Sequence, residues 1–581
     1  MTRSNHPAQA RFARSALAAV LAVGWASTAP AAEVDVGNTD FKVRWDNTIR
    51  YNLGMRAEGQ DPRILASPSY DESDAKFKRH DIVTNRLDVL SEVDINYQSR
   101  FGARVSGAAW YDQAYHDHTV TSPAGGVTSY FGNEYNKKVK RYVAGPSGEF
   151  LDAFAWSNFS LGEVPVNVKL GRHAIIWGES VFLGAHAISY SQAPTDAVKA
   201  LSSPGSETKE LVLPLNQLSF KAQLTSDLTL AGQYFLEWKP TRAPNGGSYL
   251  TGADTAPNVD RLSITPTFAA TNIDARTPGN RGNWGLMARM NVAPIDSTVG
   301  VYYRKFNDYN PENGLQFRSF TQLVPGNAAT TVPATFRFVY AQQTELLGVS
   351  ISRPIGPVAV GAEISYRKNA ALNTAGSYVS TNLDTGARGD TWHAILTGSY
   401  LLPKTALWET GSLAAEVAYS RLQKVTTNEQ LYKGVGNLLP LNAGGALACA
   451  KLNTGGVPAN TPGDKTDACS TRQFLQVAAS FAPQYLGVLP SWDLTVPVSI
   501  NYGVRGVAPS ASGGFEKLLT WSIGANMTYQ AKHEFSLRYA DISAPSKYNA
   551  AGTTLIGGGA SGGSLGATDR GWIVFTYRTA F

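Results

Sequence analysis

The sequence predicts an all-β protein, a transmembrane antiparallel β-barrel of about 18 strands, with 16 as the alternative count. Three observations point to this fold class. Many segments alternate apolar and polar residues with the period of two that marks a strand. The connectors alternate between short and long, which is typical of periplasmic turns and extracellular loops. The chain ends in an alternating segment with a terminal aromatic residue.

Composition excludes several other classes of protein. Of the 581 residues, 43% are hydrophobic and 17% are charged, which is below the roughly 25% charge of a soluble domain and too apolar for a disordered chain. Apart from one short apolar run near the N-terminus, no segment offers the roughly 20 consecutive apolar residues that a membrane-spanning helix needs. The formal net charge of +6 is not evidence for a nucleic-acid partner, because Arg3, Arg11 and Arg14 lie in a segment expected to be removed.

That segment, residues 1–31, has the features of a secretory signal peptide. Its basic residues precede an apolar run at 16–26, and the small-residue cleavage pattern Ala29-Pro30-Ala31 follows. The run is too short for the alternative of an N-terminal membrane anchor. We therefore expect residues 32–581 to form a single barrel in the outer membrane of a Gram-negative bacterium.

The strand assignment follows the alternation. Between residues 85 and 97, odd positions such as Leu87 and Val89 are mostly apolar, whereas even positions such as Asp94 are mostly charged. Because lipid offers no hydrogen bonds, the sheet must close on itself, with the apolar faces toward outer-membrane lipid. The predicted strands lie near residues 41–54, 85–97, 102–116, 151–160, 164–172, 216–224, 228–238, 283–292, 297–307, 335–353, 357–368, 390–401, 411–424, 472–483, 492–506, 517–530, 533–543 and 571–581.

The last strand carries the sharpest single signal. Ile573, Phe575, Tyr577 and Thr579 alternate up to the terminal Phe581. Outer-membrane barrels commonly end in this way. We expect the barrel-assembly machinery to be a partner that reads Phe581.

The two cysteines lie in one predicted extracellular loop, residues 425–471. Cys449 and Cys469 are close in sequence, and an oxidising compartment favours a disulfide between them. Two free thiols are the alternative. A metal site is disfavoured because no histidine lies nearby.

Charged residues on the inward faces are candidate lumen residues. They are Arg86, Asp88, Glu92, Arg104, Arg304 and Arg367. One interpretation is a set of cross-strand ion pairs that brace the wall. The other is a charged ring that selects solutes.

Residues 173–215 are the best functional candidate. This connector is unusually apolar for a loop in water, so we expect it to fold inward and narrow the bore; the alternative is a surface lid. Trp177 and Phe182 would contact an apolar solute. Glu179 and Arg172 would pair with each other or with the wall.

We predict no enzymatic activity, no cofactor and no metal site. The G-x-S-x-G matches at 559–563 and 562–566 lie in a glycine-rich loop expected to be flexible, without the strand and helix that this motif requires. Residues 308–314 are similar to a calcium loop but lack its full ligand series.

The ordered motifs of this chain resemble those of the proteobacterial outer-membrane family filed as domain-of-unknown-function family 1302. They are Arg44-Trp45-Asp46-Asn47-Thr48, Asn85-Arg86-Leu87-Asp88, Trp110-Tyr111-Asp112, Leu151-Asp152-Ala153, Gly171-Arg172-His173, Trp177-Gly178-Glu179-Ser180, Pro194-Thr195-Asp196, Pro204-Gly205 and Lys209-Glu210. The resemblance implies a barrel that works with a periplasmic carrier and an inner-membrane permease, and movement of lipid-like molecules.

The leading hypothesis is therefore an outer-membrane channel for small hydrophobic or amphiphilic molecules, in a trans-envelope export or uptake system. A surface-exposed structural or adhesive barrel without transport is the alternative. An outer-membrane hydrolase is the third hypothesis, although no catalytic constellation can be assembled from the sequence.

Overall fold

The structure is a computed structural model that describes residues 32–34, 36–38, 40–319, 335–379, 383–441 and 444–581. The expected signal peptide lies outside these residues and stays a prediction. Among the described residues, no helix is long and apolar enough to span a membrane.

Eighteen antiparallel strands form a closed barrel, as predicted. The sheet closes where the last strand pairs with the first, from Thr48 with Ala580 to Arg56 with Trp572. The strands are β1 Phe41–Arg56, β2 Ile82–Tyr97, β3 Phe101–Asp112, β4 Ser147–Leu161, β5 Val164–His173, β6 Leu215–Gln223, β7 Leu228–Phe235, β8 Trp284–Val292, β9 Ser297–Phe306, β10 Thr344–Ile355, β11 Val358–Ala371, β12 Arg388–Leu401, β13 Thr410–Thr427, β14 Gln473–Leu489, β15 Trp492–Thr495 with Val498–Arg505, β16 Leu519–Tyr529, β17 His533–Ser543 and β18 Trp572–Ala580.

Two strand predictions need correction. β15 is interrupted at Pro497, because proline has no N–H to donate to the ladder. β10 begins at Thr344 rather than near residue 335. Residues Thr335–Arg337 instead pair with the short strands Phe268–Asn272 and Leu315–Ser319 in a separate sheet. The alternation near residue 335 therefore belongs to that sheet and not to the barrel wall.

The two faces of the barrel differ in chemistry. Outward side chains such as Ile364, Leu396 and Leu537 are exposed, as a lipid-facing surface requires. Inward side chains such as Arg50 and His393 are polar and buried. A closed sheet with an apolar outer face and a polar interior is the form in which strands cross a bilayer, and the protein is an outer-membrane barrel.

The chain end is tied into the wall. Phe581 and Asn47 exchange two backbone hydrogen bonds, of 2.7 and 2.9 Å. Further along the same two strands, Tyr577 and Tyr51 pack among the outward side chains Phe535 and Phe575. These contacts anchor the terminal strand to β1, whereas recognition of Phe581 by assembly machinery stays a prediction.

The long loops fold into an extracellular cap. Side chains from several loops form one apolar core, among them Phe77, Tyr115, Val139 and Tyr249. The short strand Ala32–Val34 pairs with the start of β1 in the barrel sheet. The short strands outside that sheet are Arg261–Thr265, Phe268–Asn272, Leu315–Ser319, Thr335–Arg337, Ser377–Val379, Ser546–Tyr548 and Leu555–Gly558. The α-helices are Pro62–Leu65, Asp71–Ala75, Lys137–Val143, Ala197–Ser202, Thr208–Leu211 and Gly562–Leu565.

The cap is cross-linked by buried charges. The Arg56 guanidinium contacts the carboxylates of Asp74 at 2.8 Å and Asp569 at 3.0 Å. Removing one member of such a buried network would leave an uncompensated charge, which is strongly destabilising.

The glycine-rich loop is also ordered, because Leu565 of the helix Gly562–Leu565 is buried in the cap. The prediction that this loop is flexible was wrong.

The predicted disulfide is present. Cys449 and Cys469 are bonded, with 5.7 Å between their Cα atoms. Both side chains are buried. Strand β13 continues to Thr427, so the loop that holds them begins slightly later than predicted.

Three carboxyl groups meet inside the cap. Asp254 accepts hydrogen bonds from the backbone N–H groups of Glu72 and Ser73, at 3.2 and 2.9 Å. Glu72 accepts one from Ser129 at 2.6 Å. Burial, reinforced by the nearby Asp71, raises the pKa of Asp254, and burial together with Asp254 raises the pKa of Glu72.

These shifts predict an alkali-sensitive cap. A carboxyl whose folded-state pKa is raised adds stability that is full below its unfolded pKa, near 4, and is lost as the pH rises through the folded pKa. Limited proteolysis of the cap should therefore accelerate from mildly acidic to alkaline pH. Glu72→Gln with Asp254→Asn should flatten this dependence; an unchanged pH profile in that variant would contradict the assignment.

The disulfide predicts a second effect. Cys449→Ala with Cys469→Ala should increase proteolysis within residues 428–472. The disulfide joins residues that are 20 positions apart, and closing a loop of this length stabilises the folded state by about 3 kcal/mol. The barrel strands should stay protected, since neither cysteine lies in the wall. Equal cleavage of the loop in the oxidised parent and the variant would argue against this.

Candidate functional site: a segment folded into the barrel

Residues 174–214, called the insert from here on, leave the wall and enter the barrel. Strand β5 ends at His173, whose ring contacts Ser219 at 2.8 Å. Gln217 donates to the His173 carbonyl at 2.6 Å. These bonds fix the point at which the chain turns inward, and the next wall strand begins only at Leu215.

The Glu416 carboxylate on β13 binds the tip of the insert. It accepts hydrogen bonds from the Ser180 hydroxyl at 2.9 Å and from the backbone N–H groups of Val181 at 2.5 Å and Leu183 at 2.7 Å. The Phe182 N–H lies at 3.3 Å. One wall carboxylate thus satisfies a whole turn of backbone that has no strand partner.

Glu363 on β11 does the same for the flanking residues. Its carboxylate accepts from the N–H groups of Glu179, of Ser180 at 3.1 Å and of Ile188 at 2.8 Å. Gly178 has a φ of +107°, and a Cβ there would collide with Glu363. This position therefore requires glycine.

Arg304 on β9 satisfies carbonyls of the insert. It donates to Ile188 at 2.8 Å, to Tyr190 at 2.7 Å and to Ser191 at 2.8 Å. Tyr190 and Ser191 in turn donate their hydroxyls to Asp308. Asp308, part of the calcium-like segment, therefore serves as an anchor for the insert, and no described group of three or more His, Cys, Asp or Glu side chains is arranged to hold a metal.

Arg367 on β11 completes this side of the insert. It donates to the carbonyls of Ala185 and Ala187, both at 2.9 Å. Between them, His186 meets His393 of β12, with 3.2 Å between their Nδ1 atoms. The candidate residues Arg304 and Arg367 thus hold the insert against the wall.

The second half of the insert contacts the opposite wall. Arg50 on β1 forms a buried ion pair with Glu210 and donates to Ser203 at 3.3 Å. Ser203 donates to Asp88 at 2.9 Å. Asp88 also pairs with its strand neighbour Arg86 through two bonds of 2.9 Å, so this pair supports the insert.

Glu92 joins the insert to a cross-strand cluster. It is bound by Arg104 of β3 and by Lys209 of the insert. Arg104 also contacts Asp94 at 3.0 Å and Asp152 at 3.4 Å. These contacts fit the interpretation in which lumenal charges brace the wall, extended to a segment that the wall encloses.

Arg172 lies elsewhere than expected. It occupies the same face of β5 as Leu170, which is 55% exposed on the outside, and its Nε donates to the Pro214 carbonyl at 3.1 Å. Glu179 pairs instead with Arg289 at 3.0 Å. The lumenal placement of Arg172 was wrong because the strand alternation still holds at that residue and the inward turn starts after His173.

The two predicted aromatic contacts have different exposures. Trp177 is buried and packs against Tyr302 with 6.3 Å between ring centroids, and its backbone N–H donates to Gln192 Oε1 at 2.9 Å. Phe182 is 39% exposed and its neighbour Val181 is 59% exposed. The tip of the insert therefore presents an apolar surface inside the barrel.

One section of wall is left uncovered. Among the described residues, no hydrogen bond or ion pair joins the insert to β15, β16 or β17. The inner face of these strands carries small, partly exposed polar side chains and, on β17, the charged side chains of Glu534 and Arg538; the small ones are Ser499, Asn501, Thr520, Ser522, Asn526 and Ser536. Sequence reasoning did not single out this section; the available signal was the series of small polar residues at alternate positions, as in Ser499 and Asn501 or Thr520 and Ser522.

The anchors predict where the insert is stabilised. Arg304→Met would leave three carbonyls without a donor, at a cost of about 1–3 kcal/mol for each unsatisfied group. Amide hydrogen exchange in residues 183–192 should accelerate. Arg538→Met is the matched control, because no described contact links Arg538 to the insert. Equal protection in both variants would contradict the anchoring role.

Comparison with known proteins adds the following. OpdK of Pseudomonas aeruginosa, in a crystal structure with vanillate, is similar over 93% of this chain and 98% of its own, at 9% identity and a TM-score of 0.40. A BenF-like porin from Pseudomonas fluorescens Pf-5 has the same identity and coverages at a TM-score of 0.38. OccAB4 of Acinetobacter baumannii is similar over 93% of this chain and 98% of its own, at 9% identity and a TM-score of 0.38.

No curated protein matches the chain. The profile of the family described as "Protein of unknown function (DUF1302)" matches residues 12–581. That match covers nearly the whole chain and agrees with the ordered motifs described above. The chain belongs to the DUF1302 family.

Proposed function

We propose that this barrel is a channel for small hydrophobic or amphiphilic molecules, which pass between the insert and strands β15–β17. The observation that carries the proposal is the uncovered section of wall. The insert forms hydrogen bonds with wall strands such as β1, β9, β11 and β13, whereas here the inner face carries mostly small, polar, partly exposed side chains. A barrel of this size leaves a bore that side chains alone do not fill.

The chemistry of the two sides supports amphiphilic solutes. Val181 and Phe182 offer an exposed apolar surface. Hydroxyl and amide groups such as those of Ser522 and Asn526 offer neutral hydrogen-bonding partners on the wall. A solute with one apolar and one polar side finds both along such a path.

The anchoring supports a fixed constriction. Glu363, Glu416, Arg304 and Arg367 together make twelve hydrogen bonds to the insert. The hydrogen bonds of several wall side chains would have to break together before the insert could move out of the barrel. In this proposal the solute passes beside the insert, and the insert does not open.

The family setting extends the proposal to partners. The resemblance to the family implies a periplasmic carrier and an inner-membrane permease, so we place this channel in a trans-envelope export or uptake system. The ordered extracellular cap supports a second candidate, a structural or adhesive surface protein. That candidate requires no conductance.

Planar-bilayer conductance of the purified protein tests the proposal. The wild type should conduct weakly, and deletion of residues 178–205 should raise the single-channel conductance severalfold, because the insert no longer fills the bore. Glu363→Gln with Glu416→Gln should raise it less, since neutral amides hold the insert less strongly than carboxylates do.

The matched control is Asp46→Asn with Asp94→Asn. These lumenal carboxylates pair only with the wall arginines Arg44 and Arg104 among the described contacts, so the conductance should stay at the wild-type level. Absence of conductance in every variant would favour the structural role. An unchanged conductance after the deletion would refute the constriction.

A further inference from the structure

A cavity lies inside the barrel, beside the insert and against β5–β8. Its volume is about 350 Å³, within the range of small-molecule sites. Lys169, Lys221 and Arg289 line it together with Ile176 and Trp177. The cavity thus combines three cationic side chains with an apolar surface.

The charges of this cavity are not balanced. None of its lining residues is acidic. Arg289 is paired with Glu179 at 3.0 Å, but no described carboxylate lies within ion-pair distance of Lys169 or Lys221. The Lys169 ammonium lies over the Phe154 ring, 5.2 Å from its centroid.

The two lysines face the same space. Lys169 pairs with Ser219 across β5 and β6, and Lys221 pairs with Asn167. This register places the lysines diagonally on adjacent strands and on the same face, where side chains lie about 7–8 Å apart at their bases and can reach one ligand. Two like charges repel at that separation unless an anion lies between them.

The other side of the cavity is apolar. Ile176 is 51% exposed although it lies within the barrel. Trp177 packs with Met287 and Tyr302 in a buried cluster, which closes the cavity toward the extracellular side. Lys221 and Arg289 lie close to the ends of β6 and β8 that lead into the short turns, which places them toward the periplasmic side.

We propose that this cavity binds an anionic amphiphile from the periplasmic side. A carboxylate, sulfonate or phosphate group would lie between Lys169 and Lys221, and the apolar part of the molecule would contact Ile176 and Trp177. The proposal rests on the proposed function, because it names the class of amphiphile that the channel handles.

Equilibrium binding to the full chain in lipid nanodiscs tests this directly. The probes are naphthoate, naphthyl phosphate, neutral naphthylmethanol and acetate. Naphthoate and naphthyl phosphate should bind at least about tenfold more tightly than naphthylmethanol, as expected from one charge-assisted hydrogen bond. Acetate should bind weakly because it has no apolar part. Preference for only one anion would identify the headgroup.

Two variants separate the parts of the site. Lys169→Gln with Lys221→Gln should abolish the preference for naphthoate over naphthylmethanol. Lys138→Gln with Lys239→Gln removes the same charge from a different cavity, at the extracellular rim, and should change nothing. Ile176→Ser should weaken naphthoate and naphthylmethanol alike while preserving the preference for the anion.

Conductance in the same preparation keeps the two proposals distinct. Binding with the expected preference but without conductance would support the site and refute the channel. Conductance with equal binding of naphthoate and naphthylmethanol would support the channel and overturn the site. Loss of the preference in the rim variant as well would also overturn it, since the effect would then follow net charge.

Discussion

The hydrogen-bonding demand of the backbone is the constraint on which the rest of the structure depends. Hydrocarbon cannot satisfy N–H and C=O groups, so a membrane-spanning sheet must close, and the pairing of β18 with β1 closes it. Eighteen strands then enclose a space that wall side chains do not fill. That space admits the insert, which in turn determines which part of the inner wall remains accessible.

The same demand governs the insert, whose backbone has few strand partners inside the barrel. Wall carboxylates accept from its N–H groups at Glu363 and Glu416, and wall guanidinium groups donate to its carbonyls at Arg304 and Arg367. Charged lumenal residues therefore act here as hydrogen-bonding partners of a folded segment. In the proposed channel, selection of solutes is left to the surfaces that these charges do not occupy.

The sequence was sufficient for the strands, the disulfide and the unusual character of residues 173–215, because alternation, spacing and apolar content are local properties. It was insufficient at Arg172, because a shift of one residue along a strand moves a side chain from the lipid-facing to the lumenal face. It also could not identify the roles of Glu363 and Glu416. They bind backbone N–H groups, which carry no residue-specific signal and lie, at Ile188 and Leu183, 175 and 233 positions away. The uncovered wall follows only once the insert is placed.

Cysteine accessibility tests the central claim most directly. Ser522→Cys places a thiol on the uncovered inner face, and Ser350→Cys places one on the inner face beneath the insert, where Ser350 is buried against Glu179; both native cysteines are already bonded. A membrane-impermeant thiol reagent should react with the first variant and reduce its conductance, and should leave the second unchanged. Reaction at Ser350→Cys but not at Ser522→Cys would show that the open route lies where this account places the insert.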